Sequence, residues 1–95
     1  MNHPLDCLHL SLDGMKPLDK MRAGERAYII DIANHKLCEK LFEMGVFPGD
    51  MVEMRENADD HNSIVVQVNN QTLNIFRKAA EKIITNTVSF EVSLN

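Results

Sequence analysis

Cysteine and histidine are the side chains here best suited to binding a soft metal or attacking a carbonyl, and they are few. The chain has two cysteines, Cys7 and Cys38, and four histidines, His3, His9, His35 and His61. Cys7 and His9 stand two apart, a spacing that puts both on one face of a strand. His35 and Cys38 stand three apart, which brings them together on a helix. A metal centre needs three or four convergent ligands. Each pair supplies two, so Cys7, His9, His35 and Cys38 are candidate ligands for at most weak Fe2+ or Zn2+ binding. The competing expectation for Cys38 is a core position between Leu37 and Leu41. Asp59, Asp60 and His61 form an acidic stretch without the regular series of oxygen ligands of a calcium loop. The glycines, at 14, 24, 45 and 49, are dispersed and build no phosphate-cradling loop. No serine or cysteine falls in a nucleophile pattern, so no catalytic residue is expected and the chain is not read as an enzyme.

Charge offers a second kind of chemistry. Arg77, Lys78 and Lys82 cluster late in the chain, and Lys36 and Lys40 stand one helical turn apart earlier. These could meet an acidic partner surface, or be a solvated face balanced by Glu39, Glu43 and Glu81. The whole chain carries 10 basic and 14 acidic residues, a net charge of −4. That balance speaks against nucleic acid as a partner.

The elements that must position these residues read as mainly β. Ninety-five residues imply one domain, and 44% hydrophobic residues are enough for one small core. Residues 25–32 form the first strand, with Tyr28, Ile30 and Ile32 assigned to one face and Ala27, Ile29 and Asp31 to the other. A helix over about 35–44 follows, with Asn34 as N-cap and Leu37, Leu41 and Met44 on one face. Gly45 stops it in the left-handed region, and Pro48-Gly49 makes a type II turn. Strands follow at 51–55 (Val52 and Met54 inward), 63–68 and 71–76, the last two joined by an Asn69-Asn70 turn. Residues 56–62 read as a loop, 77–82 as one helical turn and 83–85 as a closing strand. Leu8, Leu10 and Leu12, and again Val88, Phe90 and Val92, alternate as strands do. The sum is a small barrel of about five strands with one inserted helix, whose strand-like ends favour self-association. No run approaches the length of a membrane span, and the N-terminus lacks the pattern of a secretory signal. A cytoplasmic location is expected.

The ordered motifs resemble those of the FeoA family. The similarity lies in Lys40-Leu41-Phe42-Glu43-Met44-Gly45-Val46-Phe47-Pro48-Gly49-Asp50-Met51-Val52, in Leu73-Asn74-Ile75-Phe76-Arg77-Lys78-Ala79-Ala80-Glu81-Lys82-Ile83, and in the entry Pro17-Leu18-Asp19-Lys20-Met21-Arg22-Ala23-Gly24. It covers about residues 17–85 and leaves 1–16 and 86–95 as extensions. Residues 56–62 lack the proline and glycine that many members carry there. The resemblance implies an SH3-like β-barrel and a cytoplasmic, non-catalytic accessory of ferrous iron uptake. Its implied partner is FeoB, a membrane transporter with a cytosolic GTP-binding domain, so membrane association would come only through that partner. Lys40, Val46, Phe47, Pro48, Arg77 and Lys78 are the expected partner contacts. The alternative is a transition-metal carrier or sensor using the Cys and His residues named above.

Overall fold

A computed structural model describes residues 14–87. The strand patterns at 8–12 and 88–92, like Cys7 and His9, lie outside them. The described chain is mainly β, with strands β1 (Met15–Pro17), β2 (Arg26–Ile32), β3 (Met51–Glu56), β4 (Ser63–Val68), β5 (Gln71–Phe76) and β6 (Ile83–Thr87). Helix α1 is His35–Glu43, α2 is Arg77–Ala80, and Leu18–Lys20 is a single 3-10 turn. All six strands join one sheet in the order β1-β6-β2-β3-β4-β5, antiparallel throughout. The mainly β, SH3-like architecture expected from the sequence is present, with one strand more than expected. The extra strand is β1, where Lys16 and Pro17 pair with Thr85 and Ile84. Among the described residues no strand pairing carries β5 back to β1, so the sheet is curled rather than closed.

The core is the apolar side of this curl. Val52 and Met54 from β3, with Ile64, Val66 and Val68 from β4, are all at 2% exposure or less. Leu18 and Met21, three apart around the 3-10 turn, plug one end at 1% and 0%. Leu41 of α1 covers another part, with Leu37 and Cys38 packed against the cluster. Here the expected stripe is corrected. Leu41 is buried, but Met44 has turned out to 40% exposure, because the helix ends at Glu43 and Met44 is its cap.

The face assignment of β2 also needs correction. Ala27 and Ile29 point inward, and then Ile32 does, while Ile30 is 44% exposed. Strict alternation would put Ile29 and Ile32 on opposite faces. The register against β6 slips between Ile29 and Asp31, a β-bulge that inserts one residue and reverses the alternation beyond it. A second slip falls between Met54 and Glu56 against β4, while β4 and β5 keep the period-2 pattern throughout. The β4–β5 hairpin pairs without interruption from Ser63↔Phe76 to Val68↔Gln71. Asn69 and Asn70, both at positive φ, make its turn, as asparagine tolerates better than most residues.

Candidate partner-docking surface

The residues after α1 build a stiff apolar edge. Asn34 starts the helix by accepting from the Leu37 amide at 3.0 Å. The helix ends in a Schellman arrangement: the Gly45 amide donates to the Phe42 carbonyl at 3.0 Å, and the Val46 amide to Leu41 at 2.8 Å. Gly45 is at φ +79. The apolar residues that accompany this motif stand at its two ends, since Val46 and Leu41 are both buried core members. A turn follows at once. The Asp50 amide donates to the Phe47 carbonyl at 3.0 Å, with Gly49 at φ +98, the type II geometry that Pro48-Gly49 favours. The Asp50 carboxylate accepts in return from the Phe47 amide at 2.8 Å.

Consecutive caps leave the side chains no freedom of direction. Val46 is driven inward to 1% exposure, whereas Phe47 is driven out to 45%. Of the expected docking step, Val46 therefore belongs to the core, and Phe47 and Pro48 are the exposed members. Phe42 joins them at 43%, its ring centroid 4.8 Å from that of Phe47 with the planes 34° apart. Aromatic pairs at such separations attract beyond their burial, so the two rings support one another at the surface. Met44 and Met51 add exposed apolar side chains on either side of the turn.

The β4–β5 hairpin braces this edge. The Asn69 side-chain amide donates to the Gly45 carbonyl at 3.0 Å and to the Asp50 carboxylate at 2.9 Å, and Gln71 donates to the Met44 carbonyl at 2.7 Å. Asp50, Asn69 and Gln71 were missed as organising residues. The hairpin turn was legible in the sequence, but nothing local says which distant carbonyls its amides will reach.

The expected charge contacts divide. Lys40 is exposed on α1, near the aromatic pair in sequence. Arg77 and Lys78 lie beyond the other end of β5, about 20 Å of strand from Gln71 at ~3.3 Å per residue, so one small patch does not hold all three. Arg77 also has a structural task. Its guanidinium donates to the Ala58 carbonyl at 2.7 Å and the His61 carbonyl at 3.1 Å, and its amide to Asn62 at 2.7 Å. From the other side Asn57 donates to the carbonyls of Asp19 and Met21 at 2.9 and 2.6 Å. Residues 57–62 are thus pinned at both flanks. Lys78 remains exposed.

The candidate metal ligands within the described residues do not assemble a site. Cys38 is half-buried against the core. The His35 side chain is 88% exposed, with Nε2 2.9 Å from the Glu39 carboxylate. Among the described residues no three His, Cys, Asp or Glu side chains converge. Nor is any helix among them long and apolar enough to cross a membrane.

Comparison with known proteins now bears on these features. No curated protein matches the chain by sequence. The chain is similar in fold to a crystal structure of an iron uptake regulatory protein, FeoA, with a TM-score of 0.69 and 23% identity, covering 77% of this chain and 97% of that one. It is similar to the FeoA protein of Chlorobium tepidum at a TM-score of 0.72 and 23% identity, covering 82% and 75%. A manganese-dependent transcriptional repressor shares the fold at 0.68 and 16% identity; there the match spans 82% of this chain but 48% of the repressor. The family model of the FeoA domain matches residues 16–86, which takes in the capped helix, the aromatic turn and the bracing hairpin, and the chain belongs to that family.

Proposed function

We propose that this chain is a cytoplasmic, non-catalytic adaptor of ferrous iron uptake that docks on the cytosolic part of a FeoB-type GTPase transporter. The observation that carries it is the Phe42–Phe47 pair. Two aromatic rings nearly half exposed, tilted against each other and held by a Schellman motif and a capped turn, are organised before any partner arrives. Preorganised aromatic side chains are the usual anchors of an interface, because little conformational entropy is lost when they are covered. FeoA membership supplies the setting of iron uptake. Lys40 on the same helix would tune association rate more than affinity. The metal-carrier alternative draws no support from the described residues, since His35 and Cys38 find no third ligand.

The test is a binding titration of this chain with the purified cytosolic domain of the transporter. Phe47→Ala and Phe42→Ala are each expected to weaken binding about tenfold or more, a cost of ~1.4 kcal/mol, with melting temperatures near that of the parent. Binding unaffected by both substitutions would sink the mapped surface. No binding by the parent chain would sink the adaptor role.

A further inference from the structure

The two edges of the sheet are treated very differently. β1 is three residues long and carries Lys16 and Pro17, devices that discourage another strand from adding. β5 has none of them. Gln71-Thr72-Leu73-Asn74-Ile75-Phe76 contains no charge and no proline, and its pairing with β4 runs without a bulge. It ends in Phe76, the most exposed large apolar side chain of the described residues at 74%. Among those residues no strand pairs with its outer side.

Which backbone groups face outward follows from the register. The Arg77 amide donates to the Asn62 carbonyl directly opposite, at 2.7 Å. In an antiparallel ladder, bonded and non-bonded pairs alternate. Residues 71, 73 and 75 therefore spend their amides and carbonyls on β4, while Thr72 and Asn74 direct both of theirs, and Phe76 its amide, to the open edge. Helix α2 takes the carbonyl of Phe76, its N-cap, and that of Arg77, which accepts from the Glu81 amide at 3.1 Å.

From this we infer that β5 is a self-association edge, where a second copy of the chain adds antiparallel about a two-fold axis at Asn74. The inference goes beyond the transporter-docking role and does not rest on it. Self-complementarity selects the second copy as occupant. With Asn74 opposite its own counterpart, Thr72 falls opposite Phe76 of the other copy and Phe76 opposite Thr72. The central pair exchanges two hydrogen bonds and each outer pair closes one, from the Phe76 amide to the Thr72 carbonyl, so about four inter-chain hydrogen bonds form without slippage. Aromatic and β-branched residues make favourable cross-strand neighbours. On the inner face Leu73, only half-buried in one chain, meets Ile75 of the other and extends the core across the join. An isologous contact sets each residue against its own symmetry mates, and an uncharged strand meets no like charge there. Two six-residue strands cover less than the ~1,000 Å² of a stable interface, so association is weak and concentration-dependent.

Sedimentation velocity on the full chain, from about 10 µM to about 1 mM, reads this directly. The parent is expected to shift from monomer towards dimer across that range. Asn74→Lys sets two cations side by side at the axis from an already exposed position. Asn74→Pro deletes an outward amide that the fold does not use. Both are expected to stay monomeric, with the melting temperature of Asn74→Lys unchanged. If Asn74→Pro fails to fold, Asn74→Lys alone decides. A parent monomeric at the top concentration overturns the proposal, whether the edge is then covered by the chain's own ends or taken by an extended segment of a different protein. Dimerisation of Asn74→Lys at the parent's concentrations overturns it equally.

Discussion

The carboxylate of Asp50 accepts a hydrogen bond from the side-chain amide of Asn69 at 2.9 Å, nineteen residues away. The same oxygen accepts from the Phe47 amide at 2.8 Å, so one atom ties the turn bearing the aromatic pair to the β4–β5 hairpin. Asp50→Ala removes both bonds. Charged acceptors contribute more than neutral ones, but this site is exposed and water replaces part of the loss. A destabilisation of about 1 kcal/mol is expected, measured by denaturant unfolding. Binding to the transporter domain should weaken by more than that loss alone implies, because Phe47 would no longer be held in one direction. Asp50→Asn, which keeps an acceptor, should lie between.

Gly45 and Gly49 allow a second measurement, of conformation alone. A Cβ added at either would meet nothing within 4 Å, yet both stand at positive φ. Replacement by alanine introduces no clash, only the strain of the left-handed region, about 1 kcal/mol at each. Gly45→Ala and Gly49→Ala should each lower stability by that amount in thermal unfolding. Gly45→Asn should cost less, since asparagine visits that region more readily. A loss of several kcal/mol in either alanine variant would mean that the glycine has a packing role.

Much of this arrangement was legible in the sequence. Asn34, Gly45, Pro48 and Gly49 announced a capped helix and a turn through local backbone preferences, and the structure honours each at its place. Alternation in residues 63–68 and 71–76 placed both strands of the hairpin to the residue. What failed depended on distant partners. Val46 and Phe47 are adjacent and both apolar; only the bond from Val46 back to Leu41 decides that the first is core and the second surface. The bulge at Ile30 is imposed by pairing with β6 more than fifty residues later. Arg77 read as a partner charge because nothing near it in sequence reveals the carbonyls of Ala58 and His61.

That role of Arg77 leads to a substitution in which charge and geometry separate. The planar guanidinium reaches two carbonyls at once, which a lysine ammonium on a flexible stem does not reproduce. Arg77→Ala and Arg77→Lys are therefore both expected to destabilise the chain by about 1–2 kcal/mol, with Lys recovering little. Amide hydrogen exchange across residues 58–62 should quicken in both variants. Full protection in Arg77→Lys would show that charge alone holds the loop.

Acid offers a test of the sheet's other margin. Burial works to raise the pKa of Glu25, but the Arg22 amide, 2.6 Å from Oε1, and the Lys16 ammonium at 3.0 Å outweigh it, and the carboxyl is held below its ordinary 4.5. Lys16 sits on β1 and Glu25 just before β2, so the pair fastens the edge strand. A carboxyl whose pKa is depressed on folding stabilises the protein above the unfolded pKa, and loses that contribution as the pH falls through the folded value. Both side chains are about a third exposed, so solvent keeps the worth of the pair to a few tenths of a kcal/mol, ~1 at most. Glu25→Gln should be less stable than the parent by that margin from neutral pH down to about 4.5, which is near the unfolded glutamate. Below this the two unfolding curves should converge as the parent's own carboxyl protonates. The gap at neutral pH should also shrink in high salt, which screens the Lys16 attraction but leaves the Arg22 bond. A difference that persists unchanged into acid would show that the glutamate acts through its shape and its hydrogen bond, with no part played by its charge.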